Sequence, residues 1–252
     1  MTAAALVTGA GRRVGGALAL ALASAGLDIA VHHRSSAGEA DEVVAQIRAM
    51  GRNAVAVAAD LAQPHETASL VARAAAAIGP LTLLVNNASL FHADRFGALD
   101  LALWDRHFET NLRAPILLAE AFAAQVPPAI EDGAAMILNI LDQRVLHPNP
   151  QFFSYTLSKA ALFTATRTMA QALAPRIRVN AVGPGPTLAS IHQDASAFAA
   201  EAQATPLSRS VAPQDICDAV VYLLGARSVT GQMIAVDSGQ NLAWRTPDIL
   251  DP

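Results

Sequence analysis

Two side chains four positions apart, Tyr155 and Lys159 in the run YTLSK, set a phenol and an ammonium on one face of a helix. A cation there favours the phenolate. It is expected to lower the tyrosine pKa from about 10 and make the phenol a proton donor near neutrality. Such a pair is common by chance on a surface helix, so its meaning depends on what surrounds it. A second constellation, Thr8-Gly9-Ala10-Gly11-Arg12-Arg13-Val14-Gly15, lies between an apolar run and a helical one. Glycines let the backbone turn sharply and approach a pyrophosphate, whose charge a helix N-terminus favours. The spacing is G-x-G-x-x-x-G, one residue longer than the usual dinucleotide fingerprint.

The second apolar run ends His32-His33-Arg34-Ser35-Ser36, with no acid before Glu39. An acid at that point would take a ribose hydroxyl, whereas an arginine suits a 2′-phosphate. Arg34 offers a bidentate phosphate partner and Ser35 a hydroxyl donor, and with Arg12 and Arg13 they form a cationic pocket. The expected cofactor is therefore NADP(H).

These groups need a scaffold, and the chain alternates short β-type runs with longer helical ones. Strands are expected at Ala4–Thr8, Asp28–His32, Asn53–Ala58, Leu81–Val85, Ala134–Leu141, Ile177–Ala181 and Met233–Val236. Helices are expected near 14–25, 37–49, 64–77, 100–125, 154–173 and 213–224. Continuous apolar strands such as AMILNIL imply an α/β class, with a parallel sheet covered by helices on both faces. Ligands of such sheets sit at the carboxyl ends of the strands. The irregular segment 186–212 is then either a substrate lid or a plain surface loop.

Composition sets limits. At 252 residues and about 150 per domain, one large α/β domain is the expected organisation. The net charge of −4 gives no footprint for a nucleic-acid backbone. Cys217 is the only cysteine and the seven histidines show no HExxH spacing, so no metal site is expected. Mean hydropathy is positive at +0.33, yet the apolar stretch Val14–Leu27 is shorter than the roughly 20 residues a membrane span needs. Arg12-Arg13 followed by VGGALALALASA imitates a secretory signal. Cleavage there would delete the first strand and its glycine turn, so a cytoplasmic protein is expected.

TGAGRRVG, Asp60-Leu61, Asn86-Asn87-Ala88, Asn111, YxxxK and the closing Thr230-Gly231…Asp237-Ser238-Gly239 run in the order of the short-chain dehydrogenase/reductases. The chain resembles that family over nearly its whole length. The resemblance implies a single-domain, Rossmann-like, doubly wound sheet of about seven parallel strands. It also implies proton delivery by Tyr155, a nicotinamide ribose held by Lys159 and a relay water anchored by Asn111. Asp60 would contact adenine, and Leu61, Asn87, Ala88, Pro184 and Gly185 would line the cofactor groove with Gly9, Gly11, Val14, Gly15 and His33. A homotetramer is implied as well, in which the tail Trp244-Arg245-Thr246-Pro247 would complete a neighbour's site.

One departure points at the substrate. The family's usual serine, about thirteen residues before the tyrosine, is here Asp142. An ionised carboxylate only accepts hydrogen bonds, so it suits a substrate with N–H donors better than a bare carbonyl. The same change marks the pteridine reductases. Arg13 in the glycine turn, His33-Arg34-Ser35 and Asn87-Ala88-Ser89-Leu90-Phe91 resemble that branch too. This implies that Phe91 stacks over a pterin and that Ser89, Arg13, Asp142 and Tyr155 contact it. The expected activity is NADPH-dependent reduction of a C=N bond in a pterin or dihydropterin, dihydrofolate included. A ketone or other imine reductase, and a non-catalytic NADP(H) sensor, are the alternatives. The loop 143–153 matches nothing that names a substrate.

Overall fold

The computed structural model describes residues 3–189 and 193–244. Seven strands form one sheet: β1 (Ala4–Val7), β2 (Asp28–His33), β3 (Ala54–Ala58), β4 (Leu83–Asn86), β5 (Ala135–Ile140), β6 (Ile177–Pro184) and β7 (Met233–Val236). Their order is β3-β2-β1-β4-β5-β6-β7 and every pairing is parallel. Residues of β1, β2, β4 and β5 are buried on both faces, which explains their unbroken apolar sequences. The order reverses between β1 and β4, and a crevice opens there at the carboxyl ends.

Helices α1 (Arg13–Ser24), α2 (Ala37–Ala49) and α8 (Pro213–Gly225) share one apolar layer with Val7, Ile29 and Leu138. Helices α3 (Pro64–Ile78) and α5 (Ala114–Gln125) pack on the opposite face against Leu6, Leu84 and Ile137. Leu18 and Leu22, four apart on α1, are fully buried; each such burial contributes roughly 1.5–3 kcal/mol.

Most expected elements lie within a few residues of their observed limits, with two informative differences. The single helix expected over 100–125 is α4 (Leu101–Phe108), a π-helical segment (Glu109–Arg113) and α5. The widened turn carries the buried Asn111, and such irregularities concentrate at functional sites. The segment 186–212 contains a helix, α7 (Ala195–Gln203), capped by Asp194, whose side chain accepts from the Ala197 amide. Residues 190–192 of this segment lie outside the described residues, as does the tail from Arg245 onward. No described helix is long and apolar enough to cross a membrane.

Candidate active site

The glycine turn is stitched to the sheet before it can meet a ligand. Thr8 donates its hydroxyl to the Val85 carbonyl at 3.2 Å and accepts from the Asn87 and Ala88 amides, both at 2.9 Å. Asn87 Nδ2 donates to the carbonyls of Thr8 (2.8 Å) and Gly9 (3.2 Å). The ends of β1 and β4 are thereby fixed across the crevice. His32, which the sequence offered only as a strand residue, accepts from the Gly9 amide through Nδ1 at 3.0 Å, and its Nε2 meets the Ala59 carbonyl at 3.1 Å. Burial lowers its pKa to about 4, so the ring is neutral, with its proton on Nε2 facing that carbonyl.

Gly9 has φ +63, a left-handed conformation natural to glycine. A Cβ on Gly15 would run into the Gly9 carbonyl and lie 2.6 Å from Asn87 Nδ2. Gly15→Ala should thus distort the turn, with an overpacking cost of about 1–3 kcal/mol. Dinucleotide affinity, measured by fluorescence titration, is expected to fall by about ten-fold or more. Affinity within two-fold of the parent would mean the turn is not a phosphate cradle.

The remaining expected cofactor residues fall around this turn. His33 is buried with Nδ1 unpartnered, while Arg34 and Ser35 beyond it are exposed. Asp60 accepts from the Ala62 amide at 3.0 Å. Leu61 packs its side chain in the core and gives its carbonyl to Thr67, leaving only backbone for a ligand. Val14 packs against the α1 layer. Arg13, at φ +54, donates to the Leu188 and Ala189 carbonyls at 3.3 and 3.1 Å. It ties the turn to the start of the 186–212 segment. Pro184 and Gly185 end β6 in the cavity wall.

The proposed proton-handling groups converge at the ends of β5 and α6 (Phe153–Leu173). Asp142 lies two residues past the end of β5, and Tyr155 donates its hydroxyl to Asp142 Oδ2 at 2.8 Å. Lys159, 2% exposed, donates Nζ to the Ile140 carbonyl at 2.8 Å. Asp94 positions the helix: its carboxylate accepts from the Ser154 amide at 3.1 and 3.2 Å. Asn111 Oδ1 accepts from the Leu90 amide (2.8 Å), and its Nδ2 donates to the Leu90 carbonyl (3.0 Å) and to Ser158 Oγ (3.2 Å). Ser89 donates to Asn111 Oδ1 at 3.3 Å.

One electrostatic expectation is corrected. The pKa of Tyr155 is raised well above its ordinary value, first by burial and then by the charge and hydrogen bond of Asp142. Ser89 and Arg144 pull it the other way. Lys159 does not supply the expected lowering, because its ammonium is 5.9 Å from the phenol ring centre and is held by Ile140. Burial raises Asp142, while the Arg144 amide and Tyr155 hydrogen bonds oppose it. Burial lowers Lys159 to about 8.

A cavity of about 980 Å³ opens over this pair, lined among others by Arg13, Phe91, Asp142, Phe152, Tyr155 and Glu201. Phe91 stacks on Phe152 with ring centres 4.2 Å apart and planes 11° from parallel. It meets Tyr155 edge-on at 4.7 Å. Sequence patterns did not assign Phe152 or Glu201 to the site; α7 brings Glu201 there, where it accepts from Gln193 Nε2 at 2.6 Å.

Residues 9–241 match the family model described as enoyl-(acyl carrier protein) reductase. An uncharacterized oxidoreductase of Mycobacterium tuberculosis is 38% identical, over 97% of this chain and 95% of that protein. A 3-oxoacyl-[acyl-carrier-protein] reductase of Staphylococcus aureus is 32% identical, over 95% of this chain and 98% of that protein. Among solved structures, FolM alternative dihydrofolate reductase 1 from Brucella canis, complexed with NADP, is 50% identical. It superposes with a TM-score of 0.94 over 98% of this chain and 97% of its own. A blue fluorescent protein from a metagenomic library, in complex with NADPH, is 33% identical over 94% of this chain and 97% of its own, with a TM-score of 0.87.

Proposed function

Because the chain belongs to the short-chain dehydrogenase/reductase family, we propose that it is an NADPH-dependent reductase of a C=N bond in a pterin or dihydropterin, dihydrofolate included. The observation that carries the substrate class is the Tyr155–Asp142 hydrogen bond at the base of an aromatic-walled cavity. The family's hydroxyl is replaced there by a carboxyl group whose burial favours its acid form.

The chain fits NADP(H). The glycine turn is folded so tightly that a Cβ on Gly15 would strike its own backbone, among the described residues His33 keeps a buried ring nitrogen without a partner, and Arg34 and Ser35 follow it at the carboxyl end of β2. Neighbouring structures solved with NADP or NADPH support the same reading. The bound cofactor supplies a hydride. Lys159, still charged below its pKa of about 8, would hold the ribose, and Arg13, Gly11 and Gly15 the phosphates.

The chain's own part in the chemistry is proton supply. Asp142, when protonated, donates to a ring nitrogen; Tyr155 Oη, hydrogen-bonded to Oδ2, keeps the carboxyl oriented and passes it a proton that the phenol regains from solvent in the open cavity. Asn111 fixes Leu90 and Ser89, and so the strip that carries Phe91 against the substrate ring. The protein is proposed to be cytoplasmic and homotetrameric; exposed Ile116 on α5 and Leu157 on α6 offer apolar contact surface.

The test is NADPH oxidation by the purified protein with a dihydropterin, dihydrofolate and a panel of small ketones. Turnover of the dihydropterins above the ketones is expected. Turnover of ketones alone would transfer the site to the carbonyl chemistry that the named Staphylococcus relative suggests. Binding of NADPH, seen as a thermal shift, without any turnover would favour the sensor alternative.

A further inference from the structure

The loop that follows Asp142 is cavity wall that the proton chemistry leaves unused. Its first turn is a 3₁₀ helix, Gln143–Val145, begun by Asp142 Oδ1 accepting from the Arg144 amide at 2.9 Å. Arg144 lines the cavity beside Asp142. Its guanidinium carbon lies 5.2 Å from the centre of the Phe152 ring, and Nη1 donates to Asn149 Oδ1 at 2.6 Å. Asn149 Oδ1 also accepts from the Gln151 amide at 3.1 Å, which folds the loop around the arginine.

Phe152 takes part at a conformational cost. Its backbone is left-handed, φ 53 and ψ 53, a region that side chains other than glycine seldom adopt. Strain of this kind persists where surrounding contacts over-determine it. Here the contacts are Phe91 on Phe152 and Arg144 over Phe152, one stack running from the proposed ring site to a guanidinium.

The charge at the end of that stack acts on the buried Asp142 without forming an ion pair with it. Among the described residues no carboxylate lies within ion-pair distance of Arg144. Asp94 is spent on the Ser154 amide and Asp142 on Tyr155. Arg95 lines the same cavity, exposed and likewise without an ion pair. A planar guanidinium held by an aromatic ring and one amide keeps N–H donors for a bidentate carboxylate. The cavity, at about 980 Å³, reaches from Arg144 and Arg95 past Asp142 to Pro184 and Gly185 on the cofactor side, so the guanidinium faces the space a substrate would share with the cofactor.

We propose that Arg144 recognises an anionic tail, so that the substrate is a flat heterocycle carrying a carboxylate-bearing side chain, with Arg95 adding to the attraction at the mouth. This rests on the pterin reading and narrows it. The experiment compares dihydrofolate, which bears such a tail, with 6-methyl-7,8-dihydropterin, which does not, in the parent, Arg144→Gln and Arg144→Lys. The parent should prefer the tailed substrate, and its preference should weaken as salt rises. Arg144→Gln should lower the ratio of kcat/KM for tailed over tail-less substrate by about ten-fold or more, mostly through KM. Arg144→Lys should recover part of it. The tail-less substrate, assayed in the same preparation, reports whether the variant is folded. A ratio unchanged in Arg144→Gln overturns the tail site and leaves the pterin reading standing. Turnover of neither dihydropterin by the parent overturns both.

Discussion

Replacing Tyr155 by phenylalanine should cut turnover of a dihydropterin by about 10³-fold or more and leave NADPH affinity within about two-fold. The substitution removes one oxygen and keeps the ring, so the edge-on contacts with Phe91 at 4.7 Å and His107 at 6.1 Å persist. What disappears is the donor to Asp142 Oδ2. That bond holds the Asp142 pKa down against burial, so in the variant the carboxyl moves further toward its acid form and has no group to return its proton. Single-turnover rates with saturating NADPH, beside a fluorescence titration of NADPH alone, separate the two effects. Activity retained within ten-fold would take Tyr155 out of the chemistry.

The pH profile of the parent offers an internal check on the same constellation. Tyr155 remains protonated through the neutral range, because burial and Asp142 raise it. The group that titrates on the alkaline side is Lys159, at about 8. Its charged form is lost as pH rises through that value, so the rate should decline there, through weaker cofactor holding rather than through loss of the phenolic proton. Burial of this lysine also lowers stability. Between about 8 and the unfolded value of 10.5 the unfolded chain binds the extra proton, so stability climbs with pH across that window.

Much of the architecture was legible in the sequence because β1, β4 and β5 are buried on both faces and so read as uninterrupted apolar runs. The π segment Glu109–Arg113 was not, since the extra residue shifts the apolar repeat by one position and α5 beyond it, APILLAEAFAAQ, is apolar on almost all sides and has no stripe to show the shift. Helix α7 escaped for another reason: of its residues only Ala202 is buried, so no apolar stripe announces it. At the site, the spacing YxxxK does place Tyr155 and Lys159 on one face. Spacing along a helix does not say which neighbour from the sheet comes closer. Asp142, thirteen residues earlier, reaches the phenol, while Ile140 takes the ammonium. The sign of the tyrosine shift follows from those two tertiary contacts. Phe152 was hidden in the same way, because its place beside Phe91 depends on a left-handed backbone that no residue preference there foretells.

Asp142→Ser tests the substrate assignment itself, since it restores the hydroxyl usual at this position in relatives of this family. Turnover of a dihydropterin should fall by about 10²-fold or more, as expected for loss of a positioned proton donor. NADPH binding should change little, because the hydrogen bonds of this side chain run to Tyr155 and the Arg144 amide, while the glycine turn is held by Thr8, His32 and Asn87. The phenol responds in the opposite direction. Asp142 raises the Tyr155 pKa by its charge and by accepting its proton. With serine in place the phenol becomes more acidic and free to donate to a carbonyl oxygen, so reduction of a small ketone should appear or increase. Stability supplies an independent readout. The folded pKa of Asp142 is raised by burial, so the folded protein binds the extra proton, and stability falls as pH climbs from the unfolded value toward the raised one. The serine variant lacks that penalty. Its unfolding midpoint should exceed the parent's at pH 7, and the difference should shrink in acid. Dihydropterin turnover left intact in Asp142→Ser, with the midpoint shifted as described, would mean that the carboxyl is buried for some purpose other than the reaction, and the case for a pterin-like substrate would fall with it.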